Sequence, residues 1–221
     1  MLTQSVMAAE ADANLRLLTV TGQGSVAVET SVAVVRLGVV IEGQSAQETH
    51  QQVAQRSNQL VQKLKALQVE NLQTTGISLN PRYDYRDGQA KPMGVIGQNS
   101  VQCEVPIDQA GQILDQAIAA GATQIESVSF KASDSVMKEG RKLALQAAVQ
   151  DAQRQATDVL SSLNFSIQSI HSIQVDANDS SPIIMRLEAA KAYNSMMADA
   201  PTPVEGGEQT VTARVTLQIR Y

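Results

Sequence analysis

Residues 72–85 read Leu72-Gln73-Thr74-Thr75-Gly76-Ile77-Ser78-Leu79-Asn80-Pro81-Arg82-Tyr83-Asp84-Tyr85. Thr75, Ile77, Leu79, Pro81, Tyr83 and Tyr85 fall on every second position, the period of a strand whose side chains alternate between faces. Arg86-Asp87-Gly88-Gln89-Ala90-Lys91-Pro92 follows as a run of turn formers, and Val95 to Val105 returns to a strand pattern. Leu72 to Val105 is therefore expected to be one long hairpin, which makes the sheet in the middle of the chain antiparallel.

Working outward, Leu15 to Val28 alternates as well, with Leu18, Val20, Gly22, Gly24, Val26 and Val28 on one face. Glycine at Gly22 and Gly24 predicts a bulge or the close approach of another backbone. A dinucleotide fingerprint would need a third glycine opening a helix, and a β-rich run follows instead. After the polar break Glu29-Thr30-Ser31, Val32 to Glu42 is Val/Ile-rich and is expected to pair with the first strand as a hairpin. Ser45 to Gln68 reads as a helix. Ser45 and Glu48 form a capping box, and Val53, Leu60, Leu64 and Leu67 form one apolar stripe.

Beyond the long hairpin, Ile107 to Ala120 reads as a short helix. Asp108 is its cap, Ile113, Leu114, Ala117 and Ile118 point inward, and Gly121 ends it. Ile125 to Ala132 is a strand with Ile125, Val128 and Phe130 apolar. Ser133 to Leu163 reads as a helix of about 45 Å. Ala144, Ala148, Ala152 and Ala156 recur on it at steps of four. Such a ridge lets a neighbouring element come close, either within the chain or in a contact between subunits.

Ser166 to Val175 is a strand and Gln209 to Tyr221 a closing one. The connection from Asp176 to Gly207 carries turn signals and a short helix over Ile183 to Ala198; connections of this length are usually functional or mobile. The expected fold is α+β, with antiparallel hairpins and sheets packed on two long helices and one short helix. Residues 1–14 are expected to be a tail or the remnant of an export signal, since Met7-Ala8-Ala9-Glu10-Ala11 has the small residues of a cleavage site without a full signal. Residues 15–221 form the domain, with candidate lobes 15–120 and 121–221.

Composition narrows the function. The chain has 221 residues and a formal net charge of −5, with 43% hydrophobic, 18% charged and only 3% aromatic residues. An acidic chain without a Lys/Arg cluster argues against nucleic acid and against electrostatic binding to anionic membranes. No apolar run is long enough for a membrane-spanning helix. The two histidines, His50 and His171, stand in no metal-ligand spacing, so neither a metal nor another cofactor is expected. The single cysteine, Cys103, lies on the inward face of a strand beside Glu104, whose charge disfavours a thiolate. It is the one candidate redox residue. No nucleophile elbow and no phosphate-binding loop is present, so no catalytic residue is assigned and the chain is read as a non-enzyme.

Two clusters are candidate interaction sites. Arg82, Tyr83, Tyr85 and Arg86 make an aromatic and basic hairpin tip. Met185, Met196 and Met197, among seven methionines, fall in the long connection, and methionine is an adaptable contact residue.

Several segments together resemble the SIMPL-domain family of bacterial exported proteins. They are the opening Val20-Thr21-Gly22-Gln23-Gly24, the block Leu72 to Tyr85 with its Pro-x-Tyr end and the later Asn99, Gly121-Ala122 with Phe130, the alanine-rich helix, and Glu205-Gly206-Gly207-Glu208 before the last strand. The resemblance covers nearly all of the chain from Leu15. Glu29-Thr30 departs from it, since the family tends to place Pro-Asp there. The resemblance implies a periplasmic or surface-associated protein that self-associates as a homo-oligomer, peripheral to the envelope and linked to envelope or oxidative stress. The family supplies no agreed catalytic residues. A small-molecule binding module with an apolar cleft and a thiol-dependent stress enzyme are the alternatives.

Overall fold

Alternating strands and small-residue helices set the architecture. The computed structural model describes residues 16–84, 90–176, 184–185 and 203–221. Among them the order is β1 (Leu17–Glu29), β2 (Val32–Gly43), α1 (Ala46–Ala66), β3 (Glu70–Asp84), β4 (Lys91–Pro106), α2 (Ile107–Ala119), β5 (Gln124–Lys131), α3 (Asp134–Ser162), β6 (Ser169–Val175), β7 (Ile184–Met185) and β8 (Glu208–Arg220). The fold is α+β. Tyr85, Arg86, Met196, Met197 and the expected N-terminal tail lie outside the described residues.

The long hairpin forms as its alternation predicts: β3 and β4 pair antiparallel from Asp84↔Lys91 back to Glu70↔Glu104. β4 also pairs antiparallel with β2, and β2 with β5, giving the order β3-β4-β2-β5. One face of this sheet is apolar because Val35 and Leu37 of β2 line up with Cys103 and Val101 of β4. Helix α1 covers that face with Val53, Leu60 and Leu64, and α2 with Ala110, Ile113, Leu114 and Ala117. Ser45 caps α1, its hydroxyl accepting from the Glu48 N–H.

Two expectations in this unit are corrected. Pro106, not Asp108, stands at the N-cap of α2 and makes no side-chain cap bond; Asp108 sits in the first turn. Ile118 is 51% exposed, on the outer side of α2. Ile125 is 42% exposed, because it lies on an edge strand beyond a register shift against Arg36/Leu37 of β2. Gly121 does end α2 with a φ of +113°, a conformation that favours glycine.

The largest correction concerns β1. It does not fold back on β2 as a hairpin; β1 is the neighbour of β8, in the order β1-β8-β6, with β7 also on β8. Tyr221 N–H donates to Arg16 O at 3.1 Å and the Thr21 and Thr216 hydroxyls are bonded at 3.0 Å, an antiparallel register. A two-residue hairpin would want positive φ in its loop, which neither Thr30 nor Ser31 adopts. Instead Thr30 N–H donates to Gly207 O, Ser31 N–H to Lys131 O, and Ser31 O accepts from Ile107 N–H. The chain therefore divides not into 15–120 and 121–221 but into a central unit of β2, α1, β3, β4, α2 and β5, and a terminal unit of β1 to Val28, α3, β6, β7 and β8.

In the terminal unit α3 lies on β1 and β8 through its alanine ridge. Ala144, Ala148, Ala152 and Ala156 are fully buried against Val20, Val215, Leu217 and Ile219. A Cβ on Gly22 would strike the Ala148 carbonyl and lie 2.8 Å from Ala152 Cβ; one on Gly24 would strike the Ala144 carbonyl. The glycines thus serve a close backbone approach, and the ridge is spent inside the chain. Ile184 and Met185 pair with Gln209 and Glu208 of β8, so at these two residues the expected helix over Ile183 to Ala198 is strand; the rest of that span lies outside the described residues.

Candidate functional site

Of the groups that chemistry would use, the thiol is locked into packing and the imidazoles are not. Cys103 is fully buried, opposite Val35 of β2. Burial, and then the Glu104 charge, push its thiol up to about 11. A thiolate is the reactive form, and burial holds this cysteine as the thiol at neutral pH. His50 and His171 are both exposed.

The other face of the central sheet holds a polar network that sequence reading missed. Glu126 Oε1 accepts from Gln98 Nε2 at 3.1 Å, from Gln124 Nε2 at 3.2 Å and from the Ser100 hydroxyl. These bonds, the Ser100 one largest, hold its carboxyl below the usual range against the opposing effect of burial. Arg36 Nη2 donates to Gln102 at 3.2 Å. Glu104 accepts from Lys131 Nζ at 2.7 Å and from Asn71 at 3.0 Å, and it too is lowered, these two partners outweighing burial. The signal was the alternation Gln98, Ser100, Gln102, Glu104 on β4. A carboxylate held ionised by three donors is a poor proton acceptor, and Ser100 is only 6% exposed. Among the described residues no group of three His, Cys, Asp or Glu side chains is placed to hold a metal ion. A shallow open depression on α3 is lined by Gln150, Gln153, Arg154, Thr157 and Asp158, without the apolar walls of a ligand pocket.

What the fold leaves unsatisfied is apolar surface on two edge strands. On β3, Ile77 is 68% exposed, with Leu79 and Tyr83 beside it and Met93 exposed on β4. Leu79 reaches Gly97 on the α1 side of the sheet, and Ile77, two residues away, shares that side. At the hairpin tip Arg82 is paired with Glu42, an exposed ion pair that contributes little. Of the four tip residues, then, the structure places Arg82 and Tyr83 on β3.

On β6, Ile170, Ile173 and Val175 stand beside the buried Ile219, Leu217 and Val215 of β8. Helix α3 covers the β8 residues, yet Ile173 remains 61% exposed. Phe165 and Ile167 lead into the strand and are exposed too; Phe165 lies against Tyr221 with Arg16 over its ring. An apolar row of this kind is a mark of an interaction surface. The sequence pattern marked Ser166 to Val175 only as a strand and assigned no face to Ile170 or Ile173. The methionine cluster is not brought together by the described residues: Met185 lies on β7.

No helix among the described residues is long and apolar enough to cross a membrane. No curated protein matches the sequence. The SIMPL family model, described as a protein of unknown function (DUF541), matches residues 18–219, so the glycine strand, the long hairpin and the alanine helix belong to one family pattern and this chain is a member of the SIMPL family.

Proposed function

We propose that this protein is a non-catalytic, exported protein that acts through self-association or partner binding at the uncovered apolar edges of its sheets. The observation that supports it most is the β6 row, where the buried apolar face of β8 runs on sideways into exposed Ile170, Ile173 and Val175. These side chains are already about half buried, so covering the rest recovers roughly 1 kcal/mol each. The family resemblance supports reading this role as one in the bacterial envelope, linked to its stress responses. The burial of Cys103 supports this reading over the thiol-enzyme alternative, which needs an accessible thiolate. Light scattering coupled to gel filtration tests the proposal. Self-association predicts a mass above the 23.6 kDa of one chain that grows with concentration. A strict monomer at high concentration that also captures no envelope protein would remove the proposal.

A further inference from the structure

We infer that β6 is a self-pairing edge, onto which β6 of a second copy of this chain adds antiparallel and extends the terminal sheet. The inference rests on the proposed function above and names the surface and the partner. An open sheet edge offers unpaired N–H and C=O groups to any other strand, and folded proteins usually blunt such edges. Among the described residues the edge strands are β1, β6, β3 and β5, with the two-residue β7 also on β8, and three of the four longer ones carry a guard.

On β1 the guard is helix α3: Gln23 N–H donates to Asp151 Oδ2 at 3.0 Å, and Gln155 Nε2 donates to Thr21 O at 3.3 Å. These two bonds occupy outward backbone groups that a new strand would need. On β3 it is irregularity, with register shifts at Glu70/Gln73, Thr74/Gly76 and Arg82/Tyr83, and Pro81 in the strand. On β5 it is a register shift together with the charged Glu126 and Lys131.

Strand β6, Ser-Ile-His-Ser-Ile-Gln-Val, has no Asp, Glu, Lys, Arg or Pro, one register shift at Ile170/Ser172, and every residue exposed.

Charge favours a second copy as the occupant. A strand without fixed charge does not repel its own copy. The flanks are polarised: Arg220 lies opposite Ser169 and Arg16 over Phe165 at one end, and Asp176 follows Val175 at the other. An antiparallel two-fold brings each Asp176 end to the partner's Arg220 end, and the contact closes on itself. Arg214, whose carbonyl accepts from Asp176 N–H, offsets part of that attraction. The backbone ladder and the apolar row therefore carry the pairing.

The full chain and two single variants, Ile173→Lys on β6 and Ile77→Lys on β3, test this by light scattering. Both positions are more than half exposed, so both variants keep the fold, which circular dichroism checks. The expected result is that Ile173→Lys weakens association by about tenfold or more while Ile77→Lys leaves it unchanged. If Ile77→Lys dissolves the assembly and Ile173→Lys does not, the self-pairing edge is wrong and the proposed function stands. A wild-type strict monomer sinks the edge, and sinks the proposed function only if no envelope protein is captured either. Hydrogen exchange gives a readout that needs no variant. Protection of the 169–175 amides that rises with protein concentration supports the pairing; protection independent of concentration means another covering and overturns it.

Discussion

In the terminal unit α3 lays Ala144, Ala148, Ala152 and Ala156 against a sheet whose β1 strand carries Gly22 and Gly24. In the central unit α1 lays Val53, Leu60 and Leu64 against Val35, Leu37, Val39 and Val101. The first layer gains from how closely backbone can approach backbone; the second gains from the apolar volume that fills a wider gap. Close approach tolerates no added atom, and filled volume tolerates no removed one. The two layers should therefore fail under opposite substitutions.

The sharpest way to break this comparison is to add atoms to the close layer. Gly22→Val would drive a side chain into the Ala148 carbonyl and the Ala152 Cβ, and only a shift of the whole helix relieves it. The expected loss is on the order of 4 kcal/mol, read as a fall in the denaturant midpoint. A loss under about 1 kcal/mol would mean α3 is not held as closely as described. Removing atoms from the filled layer comes next. Leu64→Ala, at a fully buried site, should cost about 3 kcal/mol, whereas Ala148→Gly in the close layer should cost only about 1 kcal/mol, mostly helix propensity.

Acid bears on both units, since the Gln23 N–H lowers the pKa of the Asp151 carboxyl in the terminal unit as well. Glu104 and Glu126 of the central unit have lowered pKa values, set chiefly by the hydrogen bonds from Lys131 and Asn71 and from Ser100. A lowered folded pKa adds stability above the ordinary carboxylate range, and that stability is lost as pH falls through the lowered value. Glu126→Gln should then flatten the acid side of the urea-midpoint curve. An unchanged acid limb would show that the network does not stabilise the fold. At the alkaline end Cys103 works the other way. Its thiol ionises near 9.0 when unfolded and near about 11 when folded, so its contribution is complete below 9.0 and fades between the two. Native protein should react with a thiol reagent only as fast as it unfolds; rapid labelling at neutral pH would contradict the burial. The smallest effect is expected at Gly76, where a Cβ meets nothing within 4 Å. Gly76→Ala should change stability by about 0.5 kcal/mol or less.

Much of the local structure was legible. The period of two in Ile77, Leu79 and Tyr83 led to the long hairpin, Ser45 with Glu48 led to a capped helix, and the step of four in the alanines led to a close-packed ridge. These are short-range properties, set by neighbouring residues. The misreadings were of a different kind. Thr30-Ser31 looked like a hairpin turn, yet β1 pairs with β8 at the far end of the chain. Ile118 fitted the helical period of α2 but sits past the edge of what the sheet covers. The β6 row was passed over because exposure depends on whether a helix reaches over the strand, which no pattern within the strand can state.

From its residues alone this protein was legible as an α+β chain of alternating strands with one alanine-ridged helix, resembling the SIMPL family. Period and capping follow from the geometry of a few consecutive residues, so they can be read from consecutive letters. Only the tertiary structure decided which strands share a sheet, which glycines lie under which alanines, and which apolar strand is left uncovered. Those outcomes depend on contacts between residues far apart in the chain, and an alternating strand is equally ready to pair with several partners until packing chooses one.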